Sequence, residues 1–208
     1  MSRLIAFGDS FTYGDGLADC HVEPTHPGPL PSKFAWPQVL GNMLEFEVIN
    51  KSKPGHSNIQ ILKDILSFDF LPSDTVVIGW TYAVRDYIFK KNFLGMDTSF
   101  MISPWSEDKL LLKKWLSVHN DYDLSIRAGL YIHHASCFLT TKEITQYHFC
   151  ANLGWVQVMP TFVEIPKNFI TDVVLNRKLD LALDNRHPGP VAHLQAAEKL
   201  YEIINAPK

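Results

Sequence analysis

The sequence has few of the features that mark disulfide-stabilised, metal-binding or nucleic-acid-binding proteins. It contains 3 cysteines, an odd number without a Cys-x-x-Cys pair, so neither a disulfide framework nor a zinc knuckle is indicated. Its formal net charge is -3, with 19 basic against 22 acidic residues, which offers no positive field to attract phosphates. The 9 histidines show no spacing typical of a metal site. We therefore expect no nucleic-acid partner, no metal and no cofactor.

Long apolar stretches are also missing. No run is long enough to span a lipid bilayer, and the first apolar segment, at 4–7, reads as a strand and leaves no room for a cleavable signal peptide. Together with the odd number of cysteines, this predicts a cytoplasmic protein. Hydrophobic residues are nevertheless plentiful, since they make up 46% of the 208 residues and can form one core. We therefore predict a single domain over 1–208.

Segments with strand-like and helix-like patterns alternate along the chain. We predict strands at 4–7, 47–49, 75–78 and 144–151, and helices at 36–44, 57–67, 122–141 and 191–204, with another helix beginning near Glu107. This alternation is typical of a parallel sheet whose strands are connected by helices lying on its faces.

Three irregular stretches interrupt this alternation. The stretch 21–37 is rich in proline, which excludes a helix and predicts an extended loop forming one wall of a cleft. The stretch 89–106 carries many apolar and aromatic residues, which indicates a lid, a binding surface or a loop packed on its own domain. The third stretch, 152–183, mixes prolines with apolar residues, and we predict only a short strand at 156–159 within it.

The most informative local pattern is Gly8-Asp9-Ser10, which follows the first predicted strand directly. The glycine allows the backbone to turn sharply out of the strand. Because ligands collect at the carboxyl ends of the strands in open α/β sheets, Ser10 is expected to face the binding crevice. A serine in that position is a candidate nucleophile.

A serine hydroxyl needs a base to take its proton, and the base needs a third group to hold its tautomer. Near the other end of the chain, Asp184 and His187 lie three positions apart in a segment that continues with Pro188 and Gly189. Proline and glycine favour a loop. One loop is therefore expected to bring His187, as the base, and Asp184, as its orienting carboxylate, to Ser10.

These two segments resemble the first and last conserved blocks of the SGNH/GDSL hydrolases. Between them, Pro54-Gly55-His56-Ser57-Asn58 is similar to the second block, so that the resemblance runs from one end of the chain to the other. It implies a flavodoxin-like three-layer α/β/α sandwich with a parallel sheet of four to five strands. It also implies a Ser10-His187-Asp184 catalytic triad and no cofactor.

The third block of the family, normally Gly-x-Asn-Asp, corresponds to Gly79-Trp80-Thr81-Tyr82 and lacks the asparagine. The resemblance then implies an oxyanion hole formed by the backbone N–H groups of Ser10 and Gly55, with the Thr81 hydroxyl replacing the missing amide. Gly55 also has a simpler interpretation as a turn residue between a strand and a helix.

Several neighbouring side chains have structural rather than catalytic interpretations. Asp9 is expected to form hydrogen bonds within the turn that follows the first strand. Arg85 and Asp86 could contact a polar substrate, but they are expected instead to form an ion pair at the start of a helix. Of the two aromatic residues beside Thr81, we expect one of Trp80 and Tyr82 to lie in the core and the other to face a substrate.

The sequence thus predicts a serine ester hydrolase that forms an acyl-enzyme. The resemblance implies a small-molecule or carbohydrate substrate carrying a short-chain or carbohydrate O-acyl ester. Two alternatives remain at this stage. The same triad could transfer the acyl group to a sugar hydroxyl, or the altered third block could mark a catalytically weakened module that binds glycans or a protein.

Overall fold

The computed structural model describes residues 2–22, 26–96, 98–150, 166–173 and 175–206. Its strands are β1 (Arg3–Gly8), β2 (His21–Val22), β3 (His26–Pro27), β4 (Glu47–Asn50), β5 (Asp74–Trp80), β6 (Asp86–Ile88), β7 (Phe100–Ile102), β8 (Thr145–Cys150) and β9 (Phe169–Ile170). Its helices are α1 (Ser10–Tyr13), α2 (Trp36–Leu44), α3 (Asn58–Leu66), α4 (Lys109–Leu116), α5 (Asp121–Thr141) and α6 (Pro190–Ile204). The strand predicted at 156–159 lies outside the described residues.

Five of these strands form one parallel sheet with the order β4-β1-β5-β8-β9. The register places Gly8 at the end of β1 beside Gly79 near the end of β5. The loops that follow these two neighbouring strands therefore leave the sheet at the same edge. This is the edge at which open α/β sheets bind their ligands.

Helices cover both faces of the sheet. Successive strand residues point to opposite sides, so each face carries its own apolar cluster. Ile5 and Val76 belong to one core cluster, which packs against α3 and α5. Leu4 and Val77 belong to a second cluster, which packs against α2 and α6. The predicted three-layer α/β/α sandwich with a parallel sheet is confirmed. No helix in the described part of the chain is both long and apolar enough to cross a membrane.

Two of the stretches predicted to be irregular contain short strands. β2 and β3 form an antiparallel pair within 21–37, and β7, which lies within 89–106, pairs with β6. The helix expected near Glu107 begins at Lys109, because the Asp108 side chain accepts a hydrogen bond from the Leu111 N–H and caps it. In 152–183, the described residues include β9, which the sequence did not predict.

Two histidines are fully buried in the core layers. On β8, His148 accepts a hydrogen bond from the Trp80 indole N–H at 3.1 Å, and burial lowers its pKa to about 3. On α6, the Nδ1 atom of His193 accepts the N–H of Trp36 at the start of α2, also at 3.1 Å. Burial lowers the pKa of His193 to about 4. Both imidazoles therefore stay neutral in the folded protein at neutral pH.

We predict that the free energy of unfolding falls as the pH falls below about 6.5. An exposed histidine in the unfolded chain takes up a proton near that pH, whereas folded His148 and His193 resist protonation down to about pH 3 and about pH 4. The unfolded state then binds more protons than the folded state. Each histidine therefore lowers the free energy of unfolding by about 1.4 kcal/mol for each pH unit in this range.

Urea unfolding at about pH 7 and about pH 5 measures this dependence. The variants His148→Gln and His193→Gln should each reduce the slope of the unfolding free energy against pH. His134→Gln, which replaces an exposed histidine of α5, should leave that slope unchanged. Equal pH slopes for all three variants and the wild type would show that the buried histidines do not control acid stability.

Candidate active site

The loop after β1 places Ser10 at the carboxyl edge of the sheet. The Asp9 side chain accepts a hydrogen bond from the Phe11 N–H at 3.0 Å and caps α1, of which Ser10 is the first residue. A Cβ atom at Gly8 would lie 2.1 Å from Thr12 Oγ1 and 2.9 Å from the Gly79 carbonyl oxygen, so only glycine fits there. The close approach of β1 and β5 therefore requires the glycine of Gly8-Asp9-Ser10.

His187 and Asp184 reach Ser10 from the other end of the chain. The Nε2 atom of His187 lies 3.0 Å from Ser10 Oγ, and its Nδ1 atom lies 2.5 Å from Asp184 Oδ2. If Nδ1–H donates to the carboxylate, Nε2 is free to accept the serine hydroxyl proton. This is the arrangement of nucleophile, base and orienting carboxylate that activates a serine.

The environment of Asp184 keeps its carboxyl group ionised. Burial alone raises its pKa, but the hydrogen bonds from the His187 ring and from the backbone N–H groups of Arg186 and His187 outweigh burial and lower it. The two N–H groups donate to Oδ1 at 2.9 and 3.1 Å, and the ring contacts Oδ2. A carboxylate held in this way stabilises the imidazolium that forms when His187 takes a proton.

The 184–187 loop is anchored against the segment that follows α1. The Leu183 N–H donates to the Gly16 carbonyl at 2.9 Å, and the Ala182 N–H donates to the His187 carbonyl at 3.0 Å. A Cβ atom at Gly16 would lie 2.7 Å from the Asp184 carboxyl group. The position of Asp184 therefore depends on the absence of a side chain at residue 16.

A second carboxylate, that of Asp15, lies beside His187. Its Oδ2 atom is 3.9 Å from His187 Nε2, and burial raises its pKa. Among the described residues, the ligand atoms of Asp15, Asp184 and His187 lie within 4.8 Å of one another, as a metal site would require. Both ring nitrogens of His187 already contact Asp184 and Ser10, so the geometry suits proton transfer better than metal binding.

The residues expected to form the oxyanion hole differ in their surroundings. Gly55 occupies the left-handed region, with φ of 79°, and nothing lies within 4 Å of where its Cβ would be, so the space beside it is open. Thr81 is fully buried: its hydroxyl donates to Asp9 Oδ2 at 2.6 Å, and its N–H donates to Asn58 Oδ1 at 2.9 Å. Both donors of Thr81 are thus committed to protein groups, and its role in an oxyanion hole stays a prediction.

Arg85 pairs with Asp9 rather than with its sequence neighbour Asp86. Its Nη1 atom lies 2.9 Å from Asp9 Oδ2 and donates to the His56 carbonyl at 3.2 Å. Asp86 begins β6, so the expected ion pair at a helix start is wrong. The two loops that carry Ser10 and Gly55 are joined by the Arg85 side chain.

Ser10, His187 and Arg85 line one open cleft of about 820 Å³. A row of rings runs along it from His187 to Phe11, Tyr82 and Trp105, with neighbouring centroids 5.6, 6.5 and 5.6 Å apart. As expected for the pair beside Thr81, Tyr82 lines the cleft while Trp80 is fully buried.

One wall of the cleft comes from the second of the three stretches predicted to be irregular. Phe100, Met101, Trp105 and Leu111 line it, so the stretch 89–106 and the start of α4 provide this wall. Within the described part of 21–37, Gly28 contacts α1, because its carbonyl accepts a hydrogen bond from the Tyr13 hydroxyl at 2.7 Å. Whether 89–106 moves as a lid stays a prediction.

Comparison with known proteins shows which fold this is. No model of a known protein family matches the sequence, and no curated protein matches it. Solved structures do match. A G-D-S-L family protein from Desulfitobacterium hafniense is 14% identical, with a TM-score of 0.51 over 98% of this chain and 99% of that one. The carbohydrate acetylesterase Est24 from Sinorhizobium meliloti is 10% identical, with a TM-score of 0.57 over 99% of both chains.

A third match is the acetyl xylan esterase Est2A from the rumen bacterium Butyrivibrio proteoclasticus, at 12% identity and a TM-score of 0.61. It covers 98% of this chain, which spans 63% of that longer protein. The chain has the SGNH-hydrolase fold. The architecture implied by the resemblance of the sequence blocks is therefore confirmed, while the low identities leave the chemistry to be argued from the site itself.

In this SGNH-hydrolase fold, the sequence-predicted triad comes together, although Ser10 and His187 are 177 positions apart. Sequence reasoning missed Asp15 and the contact of Arg85 with Asp9. The sequence signal for Asp15 is the glycine on either side of it. In the structure, Gly14 and Gly16 have φ angles of 80° and 82° and hold Asp15 in a tight turn. The Arg85 contact had no local signal, since its partner lies 76 positions away.

We predict that Gly16→Ala slows the reaction of Ser10 with a fluorophosphonate by about a hundredfold, because a Cβ atom there displaces the Asp184 carboxylate. Gly95→Ala is the matched control. Gly95 also has a positive φ of 77°, so its replacement carries a similar backbone strain, but the space beside it is open. Labelling rates measured by mass spectrometry compare the two, and equal rates would show that Gly16 does not position the triad.

Proposed function

We propose that this protein is a serine ester hydrolase in which Ser10 is the nucleophile, His187 the general base and acid, and Asp184 the orienting carboxylate. The observation that carries the proposal is the continuous contact from Asp184 to His187 to Ser10, at 2.5 and 3.0 Å, at the carboxyl edge of the sheet. The nucleophile opens onto a cleft large enough for a small ester.

In the first half of the reaction, Ser10 Oγ attacks the ester carbonyl carbon while His187 Nε2 takes the hydroxyl proton. The carbonyl π electrons move onto oxygen and form a tetrahedral oxyanion. When this collapses, the bond to the alcohol oxygen breaks, and the imidazolium gives its proton to the leaving alcohol. The acyl group remains on Ser10 as an ester.

In the second half, water replaces the alcohol. His187 Nε2 takes a proton from water as its oxygen attacks the acyl carbon, and a second tetrahedral oxyanion forms. Its collapse breaks the bond to Ser10 Oγ, which regains its proton from His187, and the carboxylic acid leaves. Because the cleft is open beside Ser10, water has direct access to the acyl-enzyme.

Both oxyanions need hydrogen-bond donors that are already in place. We assign this role to the backbone N–H groups of Ser10 and Gly55. Support comes from the turn at Gly55, whose positive φ and open surroundings leave room for a carbonyl oxygen. Thr81 supports the loop through its hydrogen bond to Asp9.

For the substrate, we propose short-chain or carbohydrate O-acyl esters. The row formed by Phe11, Tyr82 and Trp105 offers ring faces and edges along the cleft, on which a sugar or another flat group can pack. The solved structures with this fold include a carbohydrate acetylesterase and an acetyl xylan esterase, which agrees with that assignment.

The proposal predicts that Ser10→Ala and His187→Gln each lower kcat on p-nitrophenyl acetate by about a thousandfold or more, because either change removes the activated nucleophile. Ser103→Ala is the matched control. Ser103 lines the same cleft, but its buried hydroxyl has no hydrogen-bond partner among the described residues, so its loss should leave kcat within about twofold.

Wild-type turnover in Ser10→Ala would contradict the proposal. So would a folded wild-type protein that neither hydrolyses the ester nor gains a fluorophosphonate adduct, and that result would favour a binding module. Product analysis with and without a sugar acceptor separates hydrolysis from acyl transfer, since only transfer yields an acylated sugar.

A further inference from the structure

An oxyanion hole in this chain lacks the side-chain amide that the third block normally supplies, and the two donors of Thr81 are already bonded to protein groups. The Thr81 hydroxyl donates to Asp9, and its N–H donates to Asn58. A site left with two backbone donors has lost one group, and the loss of one such donor costs about a hundredfold or more in turnover. Another donor at the same place would compensate for this loss.

Arg85 lies between the two loops that carry the backbone donors. Its Nη1 atom contacts Asp9, the neighbour of Ser10, and the carbonyl of His56, the neighbour of Gly55. The guanidinium group is therefore within hydrogen-bond distance of residues adjacent to both assigned donors. Arg85 also lines the same cleft as Ser10 and His187.

The guanidinium group has donors to spare. It carries five N–H bonds, and Nη1 alone makes both of its side-chain hydrogen bonds among the described residues. The Nε atom is buried and has no partner there. The remaining amino group, Nη2, contacts no acceptor in the described part of the chain and is available to a group that enters the cleft.

The side chain is also held in one position. Only 13% of it is exposed, and its guanidinium carbon lies 5.9 Å from the centre of the Tyr82 ring and 5.6 Å from that of Trp105. Asp9, its ionic partner, is itself fixed by the Phe11 N–H and the Thr81 hydroxyl. A donor fixed before the reaction starts needs no reorganisation when charge develops, which is the condition for effective oxyanion stabilisation.

We propose that Arg85 is the side-chain donor of the oxyanion hole, in place of the missing third-block amide. This rests on the proposed hydrolase function. When Ser10 Oγ bonds to the ester carbon, the carbonyl electron pair moves onto oxygen, and Arg85 Nη2–H donates to that negative oxygen without giving up its proton. Thr81 is then a positioning residue, because its hydroxyl holds the carboxylate that holds Arg85.

The test compares kcat and KM of Arg85→Ala, Arg85→Lys and the wild type on p-nitrophenyl acetate. A donor to the oxyanion acts in the transition state, so kcat should fall about a hundredfold in Arg85→Ala while KM changes less than about threefold. Arg85→Lys keeps a cation for Asp9 but lacks the second amino group, and kcat should fall at least about tenfold.

Arg3→Gln is the matched control, because Arg3 also forms a close ion pair with a buried carboxylate, that of Asp74, at the far end of β1. Its loss should lower the melting temperature and leave kcat within about twofold of the wild type. Guanidinium ion at a non-denaturing concentration should restore part of kcat in Arg85→Ala and none in Ser10→Ala. A merely structural role for Arg85 predicts no such rescue.

The proposal is overturned if folded Arg85→Lys and Arg85→Ala keep wild-type kcat while Ser10→Ala is inactive, and the hydrolase function then stands without it. If Arg85→Ala does not fold, Arg85→Lys decides by the same criterion. If the wild type shows no turnover that depends on Ser10, the proposed function and the role of Arg85 fail together.

Discussion

The buried carboxylate of Asp9 connects the parts of the site that the fold brings together. It accepts hydrogen bonds from the Phe11 N–H, the Thr81 hydroxyl and the Arg85 guanidinium, and only 1% of Asp9 is exposed. A charge so far from water is tolerated only when such partners compensate it. Because these partners follow β1 and β5, the carboxylate fixes the relative position of the two loops and, with them, the backbone of Ser10.

This constraint explains how a third block without the usual asparagine can coexist with close contacts among Ser10, His187 and Asp184. The Thr81 hydroxyl is directed at Asp9, and the same carboxylate oxygen receives Arg85. On the other side of Ser10, the Asp184 carboxylate holds His187, and both of its oxygens are satisfied by hydrogen bonds. Two carboxylates therefore hold the two sides of Ser10, that of Asp9 through backbone and arginine contacts and that of Asp184 through the His187 imidazole.

Much of the fold was predictable because its elements carry strong local patterns. The strands β1 and β5 are fully apolar apart from their ends, and α2, α3 and α6 have apolar residues at helical spacing that meet the sheet. The short strands were not predictable. β9, for example, has only two residues and is a strand only because it pairs with β8. Two-residue strands depend on tertiary pairing, which single-sequence patterns do not contain.

The site shows the same division between local and long-range information. Ser10, Asp184 and His187 were predictable, because each lies in a short segment whose turn residues and spacing are visible in the sequence. The contacts of Asp9 with Thr81 and Arg85 join residues more than 70 positions apart and follow from the register of β1 against β5. The third block could therefore be recognised as unusual, but the partner of Thr81 could not be named.

The measurement that tests the central claim most directly is peptide mapping of the folded protein after treatment with a fluorophosphonate. The account predicts one adduct, on the peptide that contains Ser10, and a strong reduction of that adduct in His187→Gln, because the reaction needs a serine whose proton His187 can take. An adduct on another residue, or equal labelling of Ser10 with and without His187, would contradict it.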